Sequence, residues 1–75
     1  MQCRLSRHAK RRIKLYAIPE RMIIDIVGAM VLSPGIHEIV ERIPGIVYPV
    51  KIIVSVEGET ATIITSYPLK RGRIR

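Results

Sequence analysis

The stretch VKIIVSVEGETATIITSY, residues 50 to 67, constrains this chain more than any other. Two runs dense in β-branched residues flank a Glu-Gly-Glu connection. β-Branched side chains suit a pleated, half-buried surface, and glycine supplies the backbone freedom that a tight turn needs. The stretch is therefore expected to form a β-hairpin. Pro49 stands just ahead of it, where a missing N–H costs little at a strand start or a sheet edge.

The amino-terminal half has a different period. Ser6 can cap a helix in which Ala9, Ile13 and Tyr16 fall at i, i+4 and i+7, while Arg7, Lys10, Arg11 and Lys14 mostly face away from that stripe. This predicts a first helix over 7–16. His8 and Arg12 lie one turn apart on its flank, close enough to converge on one ligand. Pro19 then disfavours continued helix before it and suits the first turn of a new one. A second helix is expected to start there, burying Met22, Ile23, Ile26, Val27 and Met30, and to end before the SPG at 33–35. Residues 36–43, IHEIVERI, have apolar positions at 36, 39, 40 and 43, which is helical spacing.

A length of 75 residues allows one domain, 1–75, with a thin core, and three Tyr with no Phe or Trp make that core aliphatic. A lone cysteine, Cys3, forms no intrachain disulfide, and no Cys/His spacing fits a tetrahedral metal site, so neither metal nor cofactor is expected. The amino terminus has no apolar signal region. The longest apolar run, MIIDIVGAMVL, falls short of the ~20 residues a membrane span needs. A soluble, cytoplasmic protein with no membrane partner is expected.

The net charge of +7 is segregated. Residues 1–14 carry +6 with no acid, residues 15–66 carry −3, and the last nine carry +4 through Lys70, Arg71, Arg73 and Arg75. Residues 69–75 are expected to be a flexible basic tail. Clustered positive charge attracts polyanions and releases their counterions on contact, so RNA or another nucleic acid is the expected partner class.

The order of parts is similar to a known pattern. His8, Ala9, Arg12 and Ile18, then Ser33 and Pro34, then a final strand with Thr65 and Tyr67, resemble a bacterial and archaeal family of small proteins allied to the RelE/ParE-like and BrnT toxins. The sequence departs from that pattern in three places: Tyr16 stands where a second basic residue is common, Ala17 replaces a turn glycine, and Pro19 takes the usual Ser cap position. The resemblance implies an α+β fold, with two helices packed on an antiparallel sheet of three or four strands. It therefore implies a strand, not a helix, at 36–43. It also implies a small metal-independent ribonuclease, or a relative that inhibits nucleic-acid enzymes, neutralised by a small acidic antitoxin-like protein.

Metal-free RNA cleavage needs a base for the 2′-OH, a proton for the leaving oxygen, and cations for the developing charge. On the resemblance, the catalytic candidates are His8 as general acid or base, Arg12 as phosphate clamp, and Tyr67 as hydrogen-bond donor or stacking platform. Arg7, Lys10, Arg11, Lys14, Lys51, Lys70 and Arg71 are candidate nucleic-acid contacts, provided the sheet brings Lys51 and Lys70 beside the first helix. Plainer readings compete with these. Arg12 can bridge to Glu38 or Glu41, and Tyr67 can be a packing residue. Three functions follow: a toxin-like ribonuclease, a binding module without activity, and a toxin-like fold that only binds an acidic partner.

Overall fold

The structure, a computed structural model, describes residues 2–69. Lys70 and Arg71, expected to contact nucleic acid, and all but the first residue of the expected tail 69–75 lie outside the described residues. The elements run β1 (Gln2–Leu5), α1 (Arg7–Leu15), α2 (Glu20–Gly28), β2 (Gly35–Glu41), β3 (Val50–Glu57) and β4 (Thr60–Pro68). The fold is α+β, with both helices on one face of a four-stranded sheet of order β1-β4-β3-β2.

The expected hairpin is β3–β4. Glu57 pairs with Thr60, which leaves a two-residue loop whose first position, Gly58, has φ +60°. A positive φ at that position matches the right-handed twist of the flanking strands, and a side chain there would be strained. In β3 the even positions Val50, Ile52, Val54 and Val56 are buried, while Lys51, Ile53 and Ser55 face the other way. Each burial follows from the two-residue period of an extended chain.

Residues 36–43 form a strand in their greater part, as the resemblance implied and against their helical spacing. β2 pairs antiparallel with β3, Ile39 opposite Ile52. Only Ile39 in β2 is buried, whereas Ile36 and Val40 lie on the sheet's uncovered side and Ile43 is buried beyond the strand's end. The apparent helical period is thus a mixture of two strand faces and a loop.

The sheet differs from the expected all-antiparallel one. β1 is an edge strand that pairs parallel with β4, from Gln2 opposite Thr60 to Leu5 opposite Ile63, so the sheet is mixed and the helices follow a strand. Four residues are too few for a period to be visible in sequence, and the partner strand is far away along the chain. The pairing is tertiary in origin.

A bulge in β4 ties this strand to α1. The β3–β4 register shifts so that Val54 faces Ile63 and Ile53 faces Thr65, which leaves Ile64 as the extra residue. Ser6 fastens onto the bulge: its N–H donates to the Ile63 carbonyl at 3.0 Å and its Oγ donates to the Ile64 carbonyl at 2.8 Å. The same Oγ accepts from the Ala9 N–H at 3.0 Å, the expected N-cap. One side chain therefore starts α1 and sets where it crosses β4. The core closes beneath the helices around Ala9, Ile13, Ile23, Val27, Ile52, Val54 and Ile63. The basic arc of α1 is left facing outward.

Candidate nucleic-acid interface

α1 carries five bases, Arg7, Lys10, Arg11, Arg12 and Lys14, and no acid. At 3.6 residues per turn, the buried Ala9 and Ile13 define one side. Lys10, Lys14, Arg7 and Arg11 then follow one another around the opposite side as a continuous arc. All four are exposed. Among the described residues, the ion pairs are Arg21–Asp25 and Lys51–Glu38, and neither involves α1. The alternative bridge from Arg12 to Glu38 or Glu41 is therefore not formed.

Beside this arc runs a row of three side chains, one turn apart. Arg12 Nε donates to His8 Nε2 at 3.4 Å, and Arg12 Nη1 donates to Tyr16 Oη at 3.3 Å. Because Arg is a donor only, the His8 nitrogen facing it acts as an acceptor. Both contacts are longer than the usual 2.7–3.2 Å, so neither locks its partner. Arg12 is half-buried, with guanidinium N–H groups beyond these two bonds left for a ligand. His8, Arg11, Arg12, Lys14 and the exposed Leu15 line an open hollow of about 530 Å³.

Of the sequence candidates, His8 and Arg12 come together as their spacing implied, with Arg7, Lys10, Arg11 and Lys14 alongside. Tyr67 and Lys51 do not join them. They are cross-strand partners on β4 and β3, and their neighbours Ser66, Val50 and Ile52 are buried under the helices. Period-two alternation therefore turns Tyr67 and Lys51 to the uncovered face, with the sheet between them and the helix layer that carries the His8–Arg12 row. There Lys51 Nζ pairs with Glu38 Oε1 at 3.1 Å. The Glu38 hydrogen bond and charge, and then Tyr67, hold the Lys51 ammonium above its ordinary pKa.

Tyr16 was expected in the apolar stripe, and as a departure from the position where a second basic residue is common, but not as a member of the site. Its signal was nevertheless present, since it follows Arg12 by the same four residues that separate Arg12 from His8. Among the described residues no group of three His, Cys, Asp or Glu side chains is placed to hold a metal ion, and no helix is long and apolar enough to cross a membrane. The chain matches no protein-family model, and no curated protein or solved structure is significantly similar to it.

Proposed function

We propose that this is a toxin-like RNA-directed protein, in which the basic arc of α1 binds the phosphate backbone and the His8–Arg12–Tyr16 row performs metal-independent phosphodiester cleavage. The observation that carries the reading is the adjacency of an exposed, acid-free basic arc to the His8 imidazole and the Arg12 guanidinium that contacts it on the same helix. In this scheme Arg12 turns from His8 to a non-bridging phosphate oxygen. His8 Nε2, freed of its long bond, takes the proton of the 2′-OH. The 2′-oxygen then bonds to phosphorus, the bond to the 5′-oxygen breaks, and that oxygen leaves with a proton from a neighbouring donor, for which Tyr16 is the nearest candidate in the row. The products are a 2′,3′-cyclic phosphate and a 5′-hydroxyl.

Incubation of the purified protein with RNA in EDTA, beside His8→Ala and Arg12→Ala, tests this. Cleavage by the parent alone, giving cyclic-phosphate ends, is expected. Absence of cleavage, or equal cleavage by His8→Ala, removes the catalytic reading.

A second reading is binding without chemistry, and it has its own support. Tyr67, the third catalytic candidate, lies on the far side of the sheet, which leaves the α1 row without a contribution from β4. On that reading RNA still binds the arc, and an acidic antitoxin-like protein would compete for it. Retained binding with no cleavage selects this alternative.

A further inference from the structure

β2 is unlike the rest of the protein's surface. Among the described residues it is an edge strand of seven residues, against four for β1 at the other edge, so its backbone donors and acceptors on one side have no strand partner there. Such edges pair with other strands unless charge, a bulge or a covering element prevents it. On its uncovered face β2 presents Ile36, 64% exposed, and Val40, 52% exposed, with Glu38 between them. Charge decides which partner suits it. Residues 33–49 hold Glu38, Glu41 and Arg42, a net −1 in a chain of +7, and the basic arc belongs to α1, which packs on β4 towards the opposite edge. An acidic partner is drawn to α1 and not to β2. A second copy of this chain can meet β2 without bringing two basic arcs together.

We propose that β2 is a dimerisation edge, at which two copies pair antiparallel about a two-fold axis at Glu38, so that Ile36 of each lies against Val40 of the other. The register follows from the side chains. Centring on Glu38 buries both exposed apolar residues twice over, whereas centring on Ile39 would set Ile36 against Arg42. Opposed Glu38 side chains would ordinarily repel. Each is already bonded to Lys51 of its own chain at 3.1 Å, so two neutralised pairs meet rather than two bare carboxylates. The sheet becomes eight-stranded and both helix layers fall on one side. The β4 strands that carry the α1 helices lie five strand spacings apart, roughly 24 Å at about 4.8 Å each. The pairing does not depend on what α1 binds. If α1 does bind RNA, the dimer presents two basic helices to one strand.

Sedimentation equilibrium on the parent, Val40→Lys and Val31→Lys tests the surface. Val31 is a fully exposed apolar residue outside β2. The parent and Val31→Lys are expected to dimerise, and Val40→Lys to weaken the dimer at least tenfold with its circular dichroism unchanged. Oxidation of Glu38→Cys in a Cys3→Ser background reads the register, since directly opposed residues have Cα atoms about 4.5–5.5 Å apart, within disulfide reach. That variant should cross-link much faster than Val31→Cys in the same background. This arm stands even if Val40→Lys fails to fold. A parent that stays monomeric up to about 1 mM overturns the proposal, as does a dimer indifferent to Val40→Lys or cross-linking no faster at 38 than at 31. A monomer whose β2 is instead occupied by another protein's strand also overturns self-pairing.

Discussion

If four exposed bases on one helix hold RNA, their number sets how binding responds to salt. Arg7, Lys10, Arg11 and Lys14 are exposed, and no ion pair engages them among the described residues. For single-stranded RNA each neutralised phosphate contributes about −0.7 to the slope of log affinity against log salt, so four contacts give about −2.8. Raising salt from 50 to 200 mM should then weaken binding about fifty-fold. The double variant Arg11→Gln/Lys14→Gln removes two neighbouring members of the arc. Its slope should fall to about −1.4, and the same change of salt should cost only about sevenfold. Both side chains point to solvent, so the fold should be unaffected and circular dichroism should match the parent. Fluorescence anisotropy with a labelled single-stranded oligonucleotide, at several salt concentrations, measures both slopes. Superimposable slopes would show that α1 does not hold the phosphates, and binding that ignores salt would remove the electrostatic reading altogether.

Three further predictions concern stability. Ala17 has φ +54°, a left-handed position that costs an L-residue about 1–2 kcal/mol, so Ala17→Gly should stabilise by about 0.5–1 kcal/mol in urea unfolding after the extra glycine entropy is deducted; a loss would show the turn is not strained. Ser66 Oγ is buried with no hydrogen-bond partner among the described residues, so Ser66→Ala should leave stability unchanged or raise it by up to about 1 kcal/mol, and a clear drop in melting temperature would reveal a bonded partner. Ser6→Ala removes both the cap on Ala9 and the bond to the bulge carbonyl at Ile64, and should cost about 1–2 kcal/mol with faster hydrogen exchange at the Ala9 amide; unchanged exchange would count against the cap.

The sequence carried its own period wherever an element was long and one-sided. β3 and β4 alternate over the hairpin, and α1 advertises both its cap and its stripe, so these were legible. β2 was not legible from period alone, because a strand with one buried residue, Ile39, leaves the spacing of its other apolar residues free to imitate a helix. β1 offered nothing to read, since its pairing with β4 exists only once the chain is folded. The bulge at Ile64 was hidden for a related reason: adjacent isoleucines look alike in sequence, and only the partner strand decides which one is squeezed out. At the site, spacing along one helix placed His8 beside Arg12 correctly and would have placed Tyr16 as well. Placing Tyr67 required knowing which sheet face the helices cover, and alternation within β4 does not say.

The most direct test of the account is a map of the RNA contact surface by amide chemical-shift perturbation on isotope-labelled protein titrated with a single-stranded oligonucleotide. Shifts are predicted to cluster along α1, from Arg7 to Tyr16, while Lys51, Thr65 and Tyr67 stay quiet. Shifts concentrated on Lys51 and Tyr67 with α1 silent, or none anywhere at low salt, would contradict it.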